Sequence, residues 1–241
     1  MLVNGARLQP DPSGGLFWPA ERTLIVSDLH FEKGSAFAAR GRGMVPPFDT
    51  MKTLTRLEQL VRTYRPARLI SLGDSFHDQD AVNRLTVDEC HRIRQLTNAV
   101  DTIWIEGNHD PHPPENLGGQ VMAELDLGAL QFRHIPTAGP ARGEVAGHLH
   151  PKARISRKGR SVGGMCFVTD GIRLIMPAFG AYTGGLSVWD PAFRPMFRHR
   201  FHAWICFRKQ VYPVPSSRLA EPGGAMQGRT IAPADATALS D

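Results

Sequence analysis

The chain has 241 residues, of which 41% are hydrophobic and 21% charged, and its formal net charge is +5. This composition excludes fibrous and largely disordered proteins and predicts one globular domain over 1–219. A tail over 220–241, rich in Gly, Ala and Pro, is predicted to be disordered. The positive charge favours anionic partners without identifying them.

Membrane and export segments are not apparent in the sequence. No run reaches the roughly 20 apolar residues of a membrane span. The N-terminus lacks the basic start and apolar core of a signal peptide, so a cytoplasmic location is expected. Cys90, Cys166 and Cys206 form no CxxC pair, which is typical of reduced thiols in such a compartment.

The first half of the chain alternates short apolar runs with amphipathic segments. The apolar runs are predicted strands, and they lie at 23–27, 68–74 and 101–110. The amphipathic segments are predicted helices, and they lie at 49–64, with Asp49 as a cap, and at 86–98. The segment 31–47 is interpreted as a loop. Because strands alternate with helices, we expect a parallel sheet with crossover helices.

After about residue 120 the chain changes to short apolar segments separated by turn residues. These are predicted strands of a mostly antiparallel or mixed sheet, at 128–135, 143–150, 160–180 and 185–190. The segment 197–209 mixes arginine with Phe and Trp. We interpret it as a strand that packs its aromatic rings inward, with base stacking as the functional alternative.

Metal-competent side chains cluster near the predicted strand ends. They are Asp28, His30, Asp74, Asn108, His134, His148 and His150. Carboxylate, amide and imidazole groups without thiolate suit Mn²⁺, Fe or Zn²⁺. The carboxyl ends of parallel strands meet at one sheet edge, so Asp28, Asp74 and Asn108 are expected to converge. An aspartate shared by two ions would create a dinuclear centre that activates hydroxide for attack on a phosphate.

The alternative for these residues is polar capping of strand ends. His134 lies in no sharp motif, and His112 and His77 compete with it as a ligand. The order of the motifs decides against simple capping. The chain contains "DLH" (28–30), "GDSFHD" (73–78), "GNHD" (107–110), the lone His134 and "GHLH" (147–150) in that order.

In these five blocks the chain resembles the calcineurin-like metallophosphoesterases, with one departure. His77 stands where an Asp is commoner, and Asp78 follows it. Four segments also look like the bacterial ligase-associated DNA-damage-response phosphoesterases, often described as endonucleases. The segments are "SDLHFEKGSAFA", "LGDSFHD", "EVAGHLHP" and "MPAFGAYTGGLSV".

The resemblance implies an α/β fold (α+β in mixed-sheet terms), a two-sheet sandwich flanked by helices. It implies two divalent metal ions, with Mn expected and Fe or Zn as alternatives. The implied ligands of one ion are Asp28, His30, Asp74 and His150. The implied ligands of the other are Asp74, Asn108, His134 and His148. His109 would stabilise the transition state or protonate the leaving oxygen, with Asp110 orienting it.

Four further residues are candidate substrate contacts: Lys33, His77, Lys152 and Arg154. Lys152 and Arg154 belong to a basic run, 151–160, that either holds a nucleic-acid backbone or forms a solvated hairpin. Lys33 either meets a phosphate or forms an ion pair. His77 contacts substrate phosphate or has a structural role.

The expected function is metal-dependent phosphodiester hydrolysis in DNA repair. The expected substrate is DNA or a small phosphodiester, with a DNA ligase and a helicase as functional associates. The alternative within the class is a phosphomonoesterase or cyclic-nucleotide phosphodiesterase. A different-class alternative is an idle member that binds DNA or a partner, but the intact Asp, Asn and His set argues against it.

Overall fold

The structure is a computed structural model that describes residues 1–39, 48–157, 160–197 and 200–221. A small hairpin pairs β1 (Leu2–Val3) with β2 (Ala6–Arg7). The strands of the first large sheet are β3 (Gln9–Pro10), β4 (Leu16–Trp18), β5 (Thr23–Val26), β6 (Arg68–Leu72), β7 (Asp101–Ile105) and β8 (Gln120–Met122). They lie side by side in chain order, and β5 to β8 are parallel, as the alternating pattern predicts.

The second large sheet is mixed. Its strands are β9 (Leu125–Leu127), β10 (Leu130–Arg133), β11 (Glu144–Ala146), β12 (Lys152–Arg157), β13 (Arg160–Thr169), β14 (Leu174–Ile175), β15 (His202–Phe207) and β16 (Gln210–Pro215). The spatial order is β16-β15-β13-β14-β11-β10-β9, and β12 pairs with β13. β11 is parallel to both β10 and β14, whereas the other pairs are antiparallel.

The two sheets pack face to face over an apolar core. Ile70 and Ile105 of the first sheet belong to the same buried cluster as Phe132, Val145 and Phe167 of the second. Because side chains alternate along a strand, the other face of each sheet also needs cover. Helices cover the first sheet, and 3-10 turns and loops cover the second. The chain therefore has the predicted fold, a two-sheet α/β sandwich with flanking helices.

Four helices lie in the described part of the first half of the chain. They are α1 (Lys33–Ala39), α2 (Asp49–Tyr64), α3 (Ala81–Arg84) and α4 (Val87–Ala99). The two long helices match the predicted ranges because an apolar stripe marks each of them. Leu54 and Leu57 of α2 and Ile93 and Leu96 of α4 are buried against the sheet. Thr86 and Glu89 cap α4 reciprocally, which fixes its start.

Local details of the first half differ from the prediction. Residues 33–39, predicted as loop, form the short helix α1, whose Gly34 N–H donates to Asp49 Oδ2 at 2.9 Å. Asp49 is therefore the first residue of α2 and binds α1, instead of capping its own helix. This long-range contact has no signal in local periodicity.

The second half also differs in one predicted strand. Residues 185–190 form an isolated bridge at Ser187, paired with Lys152, and a turn. Within the described ranges, the 3-10 helices are Pro19–Glu21, Glu115–Leu117, Pro191–Phe193 and Ser216–Arg218. Ala220, where the predicted disordered tail begins, donates its N–H to Arg154 O at 2.7 Å. Residues 222–241 of that tail lie outside the described residues.

Across the described residues, no helix is long and apolar enough to cross a membrane.

Candidate metal centre

The predicted convergence of strand ends is present at the carboxyl edge of the first sheet. Asp28, Asp74 and Asn108 lie two or three residues beyond the ends of β5, β6 and β7. The loops that follow β5 and β6 are bonded to each other, since Asp28 N donates to Gly73 O at 3.2 Å and His30 N to Asp74 O at 2.9 Å. Register between adjacent parallel strands therefore aligns the first two motifs.

The backbone at this edge is held in an uncommon conformation. Five candidate ligands have positive φ: Asp28 (54°), His30 (46°), Asp74 (47°), His148 (69°) and His150 (45°). Non-glycine residues rarely adopt the left-handed region, and such strain persists only where surrounding structure enforces it. Its concentration on these side chains marks them as a site whose geometry is maintained against a local cost.

Three candidate ligands form a first group: Asp28, His30 and His150. One donor atom of each lies within 4.8 Å of the others. His150 Nε2 is 3.0 Å from Asp28 Oδ1. Asp28 is fully buried, His30 is 4% exposed and His150 is partly buried. A carboxylate and two imidazoles thus share a small, largely buried space.

A second group contains Asp74, His134 and His148, whose donor atoms also lie within 4.8 Å of one another. His134 Nε2 is 3.4 Å from Asp74 Oδ2 and 2.9 Å from Asn108 Oδ1. Its Nδ1 lies 2.8 Å from Leu72 O, which fixes the ring orientation. His134, and not the exposed His112, therefore joins Asp74 and Asn108.

Asp74 lies between the two groups. Its Oδ2 is 4.0 Å from His30 Nε2 in the first group and 3.4 Å from His134 Nε2 in the second. The second link between the groups is made by backbone, because His148 N donates to Asp28 Oδ2 at 3.1 Å. One carboxylate thus faces donors of both groups, as a bridging ligand must.

Three glycines allow these segments to approach so closely. A Cβ on Gly73 would lie 2.5 Å from the His134 ring, and one on Gly107 would lie 2.1 Å from Asp74 N. A Cβ on Gly147 would lie 1.9 Å from Ser27 Oγ. Glycine is required at these positions because any side chain would separate the segments that carry the ligands.

The charge states suit cation binding. Burial opposes ionisation of Asp28, but the hydrogen bond and charge of His150, together with His134 and His30, hold its pKa below the usual value. The pKa of Asp74 is likewise lowered, because interactions with His134 outweigh burial. Burial lowers the pKa of His30 to about 3, which keeps the lone pair of one ring nitrogen free at neutral pH. The aspartates are thus anionic and His30 neutral.

His134 differs in its protonation. Burial would lower its pKa, but hydrogen bonding to Asp74 and the charges of both aspartates raise it to about 9. In the metal-free chain this imidazole is therefore a cation paired with Asp74. A metal ion held by Asp74 and His134 would take the place of that proton, since a metal-bound histidine is neutral.

The donor set fits divalent metal ions. Both ring nitrogens of buried His30 lack a hydrogen-bond partner within the described part of the chain. An imidazole buried with both nitrogens unpaired is costly unless it meets a ligand. Oxygen and imidazole donors without thiolate are the chemistry of Mn²⁺, Fe and Zn²⁺ sites.

His109 lies at the open side of the centre. Its N–H donates to Asp74 Oδ1 at 2.9 Å, and its ring Nε2 lies 4.0 Å from Asp74 Oδ2. The side chain is 46% exposed, so it is accessible to a substrate bound at the centre. His77, 9% exposed, stacks on the His109 ring with centroids 5.4 Å apart and an interplanar angle of 15°.

Asp110 is buried beneath this surface. Its Oδ2 accepts from Phe76 N at 3.0 Å, and burial raises its pKa to about 7. The bond to Phe76 ties the third motif to the loop after Asp74. The interaction is with backbone, so the predicted orienting contact with the His109 ring stays a prediction.

The other predicted substrate contacts lie around the centre. Lys33 begins α1 and is half-buried. Its pKa is lowered, mainly by burial and partly by the charge of Lys152, although Asp49 and Asp28 oppose this shift. Lys152 and Arg154 are exposed on β12. They line a cavity of about 450 Å³ together with Gly163, Gly164, Gly185, Ser187 and Ala220. Lys158, in the same basic run, lies outside the described residues.

Sequence reasoning missed Ser27, which precedes the first motif. Its Oγ donates to Asp28 Oδ2 and contributes to the orientation of that carboxylate. A serine at a strand end carries no distinguishing signal, so only the three-dimensional contact reveals this role.

Comparison with known proteins identifies the kind of centre. The calcineurin-like phosphoesterase model matches residues 21–163, more than half of the chain and all seven candidate ligands. The chain belongs to this family. Calcineurin-like phosphoesterases are metal-dependent phosphoester hydrolases with a dinuclear divalent-metal centre, and two candidate groups are present here. No curated protein gives a significant match.

Two solved structures are similar to this chain. The nuclease MPE of Pseudomonas putida has 28% sequence identity and a TM-score of 0.69, with 89% of this chain and 98% of that chain covered. The phosphoesterase Yfce of E. coli has 14% identity and a TM-score of 0.41, with 80% and 97% covered. The similarity to MPE extends across nearly the whole described fold.

Proposed function

We propose that this chain is a phosphodiesterase that cleaves nucleic acid, and that it acts as an endonuclease in cytoplasmic DNA repair. The observation that carries the proposal is the pair of adjacent donor groups around Asp74. The similarity to a nuclease over 98% of that protein's length supports the nucleic-acid substrate. The DNA ligase and helicase expected as functional associates are part of the same proposal.

The proposed ligands follow the two groups. Asp28, His30, Asp74 and His150 would hold one ion, and Asp74, Asn108, His134 and His148 the other, with Mn²⁺ in both positions. Such a pair of ions polarises phosphoryl oxygens and lowers the pKa of a bound water. Asp28 and Asp74 supply the negative charge that offsets the ions, and the glycines keep both carboxylates fixed.

His109 is the proposed proton donor. It is the accessible imidazole at the mouth of the centre, and its backbone bond to Asp74 fixes its position relative to the ligands. From a ring nitrogen it would donate a proton to the oxygen that leaves. General acid catalysis of this kind contributes about 10²- to 10⁴-fold. Asp110 and His77 would position it from below and from the side.

The substrate backbone is proposed to contact the cationic residues around the mouth. Lys33, Lys152 and Arg154 come from two different elements, α1 and β12, and the charge of Lys152 is close enough to contribute to the lowered pKa of Lys33. Their combined charge would attract the phosphates on either side of the scissile bond. His77, against His30 and His109, would contact the scissile phosphate itself.

Hydrolysis of bis(p-nitrophenyl) phosphate in Mn²⁺ tests the central assignment. Asp74→Ala should lose essentially all activity. The effect of His109→Ala is measured on DNA, whose leaving alkoxide needs a proton, and there it should lose about 10²-fold or more in kcat. Asp126→Ala and His91→Ala are matched controls, because both residues are exposed and lie on β9 and α4. Wild-type activity in Asp74→Ala would refute the shared-carboxylate centre. Mn²⁺-independent activity would refute the metal chemistry.

Substrate comparison tests the finer claim. Single-stranded DNA, duplex DNA, p-nitrophenyl phosphate and a cyclic nucleotide are offered to the same enzyme under the same conditions. The proposal expects DNA cleavage that Asp74→Ala abolishes. Efficient hydrolysis of the monoester or cyclic nucleotide with no DNA cleavage would replace the nuclease assignment by the small-substrate alternative. DNA binding without hydrolysis of any ester would indicate an idle binding protein.

A further inference from the structure

A loop runs along the edge of the centre, from the segment of the first ligand motif to the segment of the last one. We call residues 179–186 the rim loop. At its start, Phe179 N donates to Ser27 O at 2.7 Å and Gly180 N to Asp28 O at 3.0 Å. At its end, Leu186 N donates to Leu149 O at 3.4 Å. The rim loop is thus anchored to both the first and the last ligand segments.

Two glycines bring the rim loop into direct contact with those segments. A Cβ on Gly180 would lie 2.2 Å from Leu29 O, and one on Gly185 would lie 2.2 Å from His150 O. Residues between these glycines are therefore close to the centre. Since consecutive Cα atoms are about 3.8 Å apart, the Tyr182 Cα lies within roughly 8 Å of the Gly180 Cα.

Tyr182 presents its ring at the tip of the rim loop. The residue is 42% exposed and has a φ of 58°, an unfavourable conformation for a bulky side chain. Lys52 of α2 donates to its hydroxyl and lies with Nζ 5.0 Å from the ring centroid. The neighbouring Ala181 N donates to Thr53 Oγ1 at 3.0 Å. The ring is therefore fixed in position while much of its surface stays open to solvent.

The surroundings of this ring are cationic. Lys52 contacts it directly, and Lys152 packs its aliphatic stem against Gly185, within 2.9 Å of the Cβ position. Lys152 begins β12, immediately after the last ligand motif. A fixed, exposed aromatic ring that contacts one lysine, on a loop against which a second lysine packs, is a combination that suits a single-stranded nucleic acid, since bases stack on the ring and phosphates meet the cations.

We infer that Tyr182 stacks on the nucleobase of the nucleotide next to the scissile phosphate, with Lys52 holding the ring in place. This inference rests on the proposed phosphodiesterase function and specifies its substrate as a nucleoside ester. Tyr182 is a specificity residue: it contacts the base and takes no part in bond cleavage. The ligand class is a nucleoside phosphodiester with an unpaired base.

Two esters with the same leaving group test the inference. Thymidine 5′-(p-nitrophenyl phosphate) carries a base, whereas methyl p-nitrophenyl phosphate carries none. The measured quantity is the ratio of their kcat/KM values in Mn²⁺. Tyr182→Leu should lower this ratio about fivefold or more, mainly through KM of the thymidine ester, because stacking on an aromatic ring is lost. Tyr182→Phe keeps the ring and should retain most of the ratio.

The variants are chosen to avoid trivial explanations. Leucine and phenylalanine both have a Cβ, so the strain at φ 58° is the same in each. Tyr212→Leu is the matched control, because Tyr212 is 45% exposed on β16 and should leave the ratio at the wild-type value. Circular dichroism and Mn²⁺ binding verify that each variant is folded and loaded.

The outcomes separate the inference from the proposed function. If wild type hydrolyses neither ester, the phosphodiesterase proposal fails and the inference falls with it. If wild type is active and Tyr182→Leu keeps the wild-type ratio, or loses both esters equally, stacking is refuted while the enzyme assignment stands. If Tyr182→Phe lowers the ratio of the kcat/KM values as much as Tyr182→Leu does, the effect comes from the hydroxyl and Lys52 and not from the ring. That result would also refute stacking.

Discussion

Replacement of Arg173 by methionine should destabilise the second sheet strongly. Arg173 is 1% exposed, and its Nη2 lies 3.0 Å from Oε2 of Glu144, which is fully buried. Arg173 also donates from Nη1 to Thr137 O at 3.1 Å. In Arg173→Met the carboxylate of Glu144 would stay in the core without its main counter-charge, which typically costs about 3–5 kcal/mol.

The remaining contacts of Glu144 place the expected cost near the lower end of this range. Thr137 N still donates to Oε1 at 2.8 Å, and Arg133 Nε lies 3.8 Å from the same atom. We therefore expect a loss of about 3 kcal/mol in the free energy of unfolding. For a chain of this size that corresponds to a fall in Tm of about 6–12 °C.

Urea denaturation in EDTA measures this loss without stabilisation by bound metal. The double variant Glu144→Gln/Arg173→Met should recover at least about 1 kcal/mol relative to Arg173→Met, because the uncompensated charge is gone. Arg68→Met is the control: Arg68 pairs with Asp101 at 3.1 Å on the surface, and its loss should cost no more than about 1 kcal/mol. If Arg173→Met loses no more unfolding free energy than Arg68→Met, the buried-charge reasoning is wrong. It is also wrong if the double variant is clearly less stable than Arg173→Met.

Three further outcomes are expected. Gly147→Ala should weaken Mn²⁺ binding at least tenfold, measured by calorimetry, because the new Cβ would lie 1.9 Å from Ser27 Oγ. Wild-type affinity in this variant would show that the segments around Ser27 and Gly147 can move apart at no cost to metal binding. Mn²⁺ at about 100 times its Kd should add about 2.7 kcal/mol to the metal-free protein's stability for each site that it fills, and no rise in Tm would contradict Mn²⁺ binding at the centre. Cys166 and Cys206 are buried, and burial raises the pKa of Cys206 to about 12. Iodoacetamide at pH 8 should therefore modify neither thiol in the folded protein during a reaction time that is sufficient to modify both in urea. Rapid native labelling by mass spectrometry would disprove that burial.

The sequence by itself determined the elements of the first sheet. Apolar runs at 23–27 and 68–74 and the amphipathic segment 49–64 carry local periodicities that dictate strand and helix. Because parallel strands share a carboxyl edge, the same patterns also indicated that Asp28, Asp74 and Asn108 would meet. The five ordered motifs identified the family.

Tertiary structure decided the features that depend on distant contacts. Helix α1 forms where Gly34 binds Asp49, and the sequence pattern there indicates only a loop. His134 joins the centre because its ring is fixed by Leu72 O on a neighbouring strand.

The left-handed backbone of the ligands and the position of Tyr182 have the same origin. Each is stabilised by groups that are far away in the chain: the rim loop reaches Asp28 across about 150 residues of sequence, through the hydrogen bond from Gly180 N. Local periodicity reports which face of an element is apolar. It contains no information on which distant segment covers that face, and that packing sets the shape of the centre.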